Sequence, residues 1–327
     1  MRAIRLHAFG GPENLRYEEV ADPEPGPGQV RVAVKAAGVH LLDTALQKGA
    51  ADELPFPMPE LPMTPGREVA GVVDALGEGV DEEWLGRRVV THLGLVNAGY
   101  AELAVRETDA LFALPDALSY EASIAMVGTG RMALGILHVA ALEPDDVALV
   151  TAAAGGIGTL LVQAARNAGV TVVGAAGGPE KTARVRELGA DVAVDYNEPD
   201  WPEKVRAALG GREVSVAFDS VGGAAGRAAL ELLGFGGRFV MYGWSSGKPT
   251  ELGTKDLQSR LLTATYALGP RIARLPGGLR GLQERALDEA ARGTLVPAVT
   301  TFPLREAGAA HAALLGRETV GKVVLTP

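Results

Sequence analysis

Cysteine is absent from all 327 residues, so disulfides, thiolate zinc sites, iron–sulfur clusters and cysteine nucleophiles are excluded together. Histidine is scarce: His7, His40, His92, His138 and His311 form no HExxH pattern and no short pairing, which argues against a protein-bound transition metal. No apolar run approaches the ~18–20 residues of a membrane span. The first residues, Met1-Arg2-Ala3-Ile4-Arg5-Leu6-His7, alternate like a strand and lack an apolar signal core. Together these absences predict a cytoplasmic protein with no membrane partner. Basic residues are outnumbered, with a net charge of −9, whereas a nucleic-acid partner calls for a basic face. An anionic cofactor stays compatible, because backbone N–H groups and a few local cations hold phosphate within an acidic protein. Repeats, charge blocks and low-complexity tracts are also missing.

Apolar residues make up 47% and charged residues 22% of the chain, a globular balance, and the length suits two domains of ~100–200 residues. Over 1–123, short β-branched runs such as Val30–Val34, Val69–Val73 and Tyr100–Val105 are cut by Gly and Pro, predicting a β-rich domain. Pro55 to Pro65 reads as a surface loop, since its prolines bar a helix. Over 124–267 apolar strands alternate with amphipathic helices: strands at Val147–Thr151, Val170–Gly174, Asp191–Asp195, Val214–Phe218, Arg238–Tyr242 and Leu262–Tyr266, helices at Thr159–Ala168 and Pro179–Leu188. Continuous apolar strands with helical crossovers predict a parallel, doubly wound α/β sheet covered on both faces. Over 268–327 come helices near Gly281–Ala291 and Arg305–Leu315 and strands at Val299–Phe302 and Lys322–Leu325, the last placed to rejoin the first domain's sheet.

Directly after Val147–Thr151 stands Ala152-Ala153-Ala154-Gly155-Gly156-Ile157-Gly158, an A-x-G-x-x-G turn counted from Ala153. Gly155 lets a pyrophosphate approach the backbone, and Gly158 lets the helix pack closely on the strand. The helix N-terminus then offers free N–H groups and ~0.3–1 kcal/mol of dipole stabilisation. A glycine triplet is a weak signal in a chain with 43 glycines. Its place between strand and helix of a βαβ unit points to a dinucleotide site rather than a merely structural turn. NAD binders put a carboxylate ~20 positions further on, and here the second strand ends Gly174-Ala175-Ala176-Gly177-Gly178 without one. Lys181 is either the cation for a 2′-phosphate or an ordinary solvated lysine; Glu180 beside it points about 100° away. NADPH is therefore the expected cofactor.

Ala37-Gly38-Val39-His40-Leu41-Leu42-Asp43, Pro65–Val73, Ala152–Gly158, Gly178–Lys181, Phe218-Asp219-Ser220-Val221-Gly222-Gly223 and Thr319–Leu325 stand in the order of a known family. The chain resembles the medium-chain dehydrogenase/reductase superfamily, in its zinc-independent quinone oxidoreductase branch that includes zeta-crystallin. The resemblance implies an N-terminal GroES-like β-rich domain (1–123) completed by the C-terminal segment (268–327), with a Rossmann NADP-binding domain (124–267) between them. It further implies a cleft between the two and a homodimer. Cofactor contacts are implied at Ala153, Gly155, Gly156, Ile157, Gly177, Lys181, Tyr196 at the adenine end, Ser220, Val221, Gly243-Trp244-Ser245 along the nicotinamide half, Arg317 and Lys322. Zinc-using relatives have a cysteine at His40, a histidine at Arg67 and a cysteine near 131, and their structural zinc lobe exceeds the short Leu93–Gly99. One imidazole does not hold zinc.

Without a metal to polarise an alcohol, what remains is hydride transfer to a quinone or an α,β-unsaturated carbonyl. The protein then aligns the reactants and stabilises an oxyanion. His40 stands where the branch usually has Asn: it either donates to the acceptor oxygen or lines the wall, tied to a carbonyl. Asp43 orients His40 or the substrate, or caps a helix. Arg131, where the branch has threonine, either binds an oxyanion or turns outward to a carboxylate. A tyrosine common two residues after Asp43 is Ala45 here. Two alternatives stand beside this reading: an enoyl-thioester reductase of a lipid or polyketide pathway, and a non-catalytic NADPH-binding protein.

Overall fold

Alternate positions of Gln29–Val39, among them Val30, Val32 and Val34, turn inward and make this the central strand of a β-rich unit. The computed structural model describes residues 1–50, 57–94 and 97–327. This unit comprises Met1–Thr129 and Ala286–Pro327. Its larger sheet runs Val299–Pro303, Lys322–Thr326, Gln29–Val39, Glu68–Leu76, Arg88–His92, Leu111–Ala113, with Leu103–Glu107 also paired to Gln29–Val39. The C-terminal strand thus rejoins the N-terminal sheet, antiparallel to Gln29–Val39 with Val323 opposite Val39. On the other side of Gln29–Val39, Val69 lies opposite Ala37. These two registers bring Glu68 and Lys322 to the same end of the strand, where His40 follows Val39. Pro55 and Phe56 of the predicted loop lie outside the described residues. From 57 to 65 there is no regular element, only a bridge between Leu6 and Met63.

The second unit, Gly130–Arg285, is a six-stranded sheet in the order Val192–Asp195, Thr171–Ala176, Val147–Val150, Val214–Asp219, Leu233–Met241, Thr263–Tyr266, every pair parallel. This is the Rossmann order. Its direction reverses between Val147–Val150 and Val214–Asp219, where open α/β sheets bind their ligands at the strands' carboxyl ends. The two compact units meet in the chain at 129/130 and 285/286. Ile272, in the short helix Pro270–Ala273, packs on Gly135 of Arg131–Ala140 and keeps the chain in this unit beyond its last strand.

Tyr120–Ala140 is one helical run of 21 residues, long and apolar enough to cross a bilayer, which corrects the expectation that no such run exists. Its apolar residues serve the protein core, since 61% of it is buried. It widens into a π-helical turn at Ala125–Gly130.

Candidate active site

Each unit carries one cluster of candidate site residues. On the parallel sheet, Val147–Val150 ends in a turn tied down by two backbone bonds. Ala153 N–H donates to Ala175 O at 3.0 Å, and Gly155 N–H to Ala152 O at 2.8 Å. The helix Gly156–Asn167 follows. A Cβ on Gly158 would overlap Ala152 O and stand 2.8 Å from Ala153 Cα, so the helix packs straight onto the turn. A Cβ on Gly155 would meet only Ala152 O, at 3.2 Å, so the approach above the turn is open among the described residues. The N–H groups of Gly156, Ile157 and Gly158 have no acceptor inside their own helix, which makes this end an anion cradle. The residues fit a dinucleotide pyrophosphate.

Gly177 lies against Tyr196: a Cβ on it would be 3.4 Å from Tyr196 Cε2. Gly178, at φ +88, opens the helix Pro179–Glu187, with Lys181 half-buried as its third residue and Glu180 exposed. At the topological switch, Asp219 is 1% exposed. Its Oδ1 accepts from Thr151 Oγ1 at 3.0 Å, Val221 N at 3.0 Å and Gly222 N at 3.2 Å, and its Oδ2 from Thr250 Oγ1 at 2.7 Å. This carboxylate fixes the loops after three strands. Ser245 N–H donates to Ser220 O at 2.9 Å, and Gly243 packs beside Ser220. The structure thereby brings Ser220, Val221, Gly243 and Ser245 together; Trp244 is 48% exposed and stacks near Tyr266. Arg131 is half-buried at the start of its helix.

In the β-rich unit, His40 precedes the helix Leu41–Lys48, and its backbone N–H donates to Asp43 Oδ2 at 2.9 Å. Asp43 thus caps the helix and also faces the ring: His40 Nδ1 lies 3.4 Å from Oδ2, an ion-pair distance without hydrogen-bond alignment. The cap is the hydrogen-bonded contact of the two. His40 Nε2 is 2.9 Å from Glu68 Oε1, and Lys322 Nζ is 2.8 Å from Glu68 Oε2. Arg67 approaches Asp43 Oδ1 at 3.6 Å. Tyr100 OH lies 3.1 Å from both Asp43 Oδ2 and His311 Nε2, and His311 Nδ1 is 2.7 Å from Gln47 Oε1. Glu68, Asp43 and Lys322 are at most 4% exposed, whereas the His40 side chain is 24% exposed. The cluster therefore reaches the surface through His40.

Burial alone would push His40 toward the neutral ring. The charge of Glu68 and the contacts with Asp43 and Glu68 outweigh it, and Lys322's opposition, so its pKa is raised. Burial likewise disfavours charge on Glu68, yet His40 and Lys322 hold its carboxyl well below the usual range. Asp43 is lowered too, its burial overcome by His40 and Arg67.

Lys322, expected at the cofactor, is a correction: its ammonium is buried on Glu68 because the Val323–Val39 pairing carries it there. Arg317 sits exposed after the helix Ala307–Leu315 with φ +57, a left-handed conformation. Sequence reasoning missed Glu68 and Asp219 as site residues, and gave Tyr100, Gln47 and His311 no place beside Asp43. Both carboxylates stand within strands, a position that signals a buried ionic role.

The sequence matches the family described as "Alcohol dehydrogenase GroES-like domain" over residues 26–116 and "Zinc-binding dehydrogenase" over 156–280. A 2-haloacrylate reductase of Burkholderia sp is 34% identical, covering 99% of this chain and 98% of the relative. A quinone oxidoreductase of Pseudomonas aeruginosa is 32% identical, covering 100% and 99%. The crystal structure of Escherichia coli quinone oxidoreductase complexed with NADPH superposes with a TM-score of 0.87 at 30% identity, covering 100% of both chains. The zinc of the second description does not fit these residues. The cations of Arg67 and Lys322 already lie on the two buried carboxylates, Asp43 and Glu68.

Proposed function

This chain belongs to the medium-chain dehydrogenase/reductase superfamily, in its quinone oxidoreductase branch, and from that premise we propose that it reduces a quinone or an α,β-unsaturated carbonyl compound with NADPH and without zinc. NADPH supplies the hydride when bound. The turn Ala153–Gly158 holds the pyrophosphate, Lys181 neutralises the 2′-phosphate, Tyr196 lies at the adenine end, and Gly243-Trp244-Ser245 line the nicotinamide half. Arg317 adds a cofactor contact.

Hydride added to a quinone, or to the β-carbon of an enone, leaves a negative charge on the acceptor oxygen. That charge calls for a fixed positive partner and then a proton. His40 supplies both: the imidazolium stabilises the oxyanion, gives up its proton to the reduced acceptor, and is reprotonated by solvent. A single observation carries the assignment: a quarter-exposed imidazole lies against Glu68 and Asp43, two buried carboxylates that favour its charged form.

The test is NADPH oxidation with benzoquinone, naphthoquinones, 2-alkenals, 2-chloroacrylate and crotonyl thioester, with NADH in parallel and with and without EDTA. Turnover of a quinone or an unsaturated carbonyl, preferring NADPH and indifferent to EDTA, is expected. His40→Ala is expected to lower kcat by about a hundredfold with the NADPH KM little changed. In the wild type kcat is expected to fall as pH rises through the raised His40 pKa. Turnover of simple alcohols alone, or a metal requirement, sinks the reading; an unaltered kcat removes His40 from it.

A further inference from the structure

We propose that the buried Glu68–Lys322 ion pair is the positioning element of His40, orienting its ring and setting its charge. The proposal rests on the role of His40 given above and adds two residues that act only through it.

The space for this pair is made by two glycines from different elements. A Cβ on Gly38, in the strand Gln29–Val39, would overlap Glu68 Oε2 and stand 3.1 Å from Lys322 Cε. A Cβ on Gly128, in the π-helical turn, would overlap Glu68 Oε1. A third element, the C-terminal strand, delivers Lys322. Stability alone gives no reason for such a chamber, because replacing a buried ion pair with apolar side chains is often neutral or stabilising. A carboxylate with one oxygen on Lys322 and the other on His40 Nε2 does have a directional use. It fixes the ring's rotation, with Nδ1 turned to Asp43, and supplies the negative charge that keeps the ring protonated.

The charged and titratable groups around His40 are Glu68, Asp43, Lys322, Arg67 through Asp43, Tyr100 through Asp43, and His92, whose ring centre is 6.5 Å away. Glu68 and Lys322 act on the imidazolium with opposite signs, and that gives the proposal a signature that general loosening of the fold cannot imitate. Removing the carboxylate lowers the His40 titration midpoint; removing the ammonium raises it.

The experiment follows the His40 ring resonances of the full chain by NMR against pH, assigned by their loss in His40→Ala. Glu68→Gln is expected to move the midpoint down by about 1 unit or more, and Lys322→Met to move it up. If Glu68→Gln does not fold, the upward shift in Lys322→Met decides alone. A midpoint unmoved by both, or moved the same way by both, overturns the proposal. The falling limb of the pH–rate profile is read on the same variants. If the midpoints move as stated while that limb stays still, the positioning role stands and the assignment of His40 as the proton donor falls.

Discussion

Lys181 is the third residue of its helix, at the end of a strand that carries no carboxylate. Lys181→Ala is expected to raise the NADPH KM at least ~10-fold while leaving the NADH KM nearly unchanged, since only NADPH has the 2′-phosphate; equal effects would remove it from the phosphate site. His311 makes a second residue-scale case. Burial lowers its pKa to about 4, and its neutral ring sits between Gln47 and Tyr100. Its contribution to stability is full above the ordinary 6.5 and is lost as pH falls toward 4. Each tenfold change in proton affinity is worth ~1.4 kcal/mol, so the loss comes to about 3 kcal/mol in all. Asp43 and Glu68 act in the same direction at lower pH. His40, with its raised pKa, has the opposite sign: its contribution is complete below 6.5 and is lost only as pH rises through the folded value. The thermal midpoint should therefore drop between pH 6.5 and 4, and His311→Gln should flatten that drop. A variant as steep as the wild type would contradict the buried neutral ring. The place of Lys181 in the first turn of a helix was legible in the sequence because its neighbours in the chain define it. His311 was not, because Tyr100 and Gln47 meet it only through tertiary packing.

The dinucleotide element depends on one contact. Gly158 brings its helix onto Ala152 and Ala153 with no room for a side chain. Gly158→Val must separate helix from turn, at roughly 1–3 kcal/mol. The expected outcome is a lower thermal midpoint and weaker NADPH binding; unchanged binding would show that the turn does not seat the pyrophosphate. This element was readable in advance because strand, turn and helix are consecutive and their periodicities differ. Leu233–Met241 was read as beginning only at Arg238, since Gly234, Gly236 and Gly237 mimic a loop; its first residue pairs with Val214 across an irregular register. Glu68 stands within the Pro65–Val73 stretch, whose sequence alone gives it no role. Its surroundings come from three separate segments, Gly38 to His40, Gly128 and Lys322, and no local pattern encodes that meeting.

At the scale of the whole chain, the labour is divided: the Gly130–Arg285 unit offers backbone N–H groups to an anion, and the Met1–Thr129 and Ala286–Pro327 unit holds a guarded imidazole. The net charge of −9 is no obstacle to the proposed cofactor, because a helix terminus and local cations can hold phosphate within an acidic protein. The rejoining C-terminal strand was legible as an apolar segment after two helices. Its functional consequence, delivery of Lys322 to Glu68, followed only from its pairing with Gln29–Val39.

The central claim is that a dinucleotide rests on the main chain where the Ala/Gly turn opens into a helix, and calorimetric titration of the purified chain with NADPH tests it most directly. The account predicts saturable binding with one site per chain and a Kd below about 100 µM, within the usual range of cofactor affinities. No heat of binding up to millimolar NADPH would contradict it.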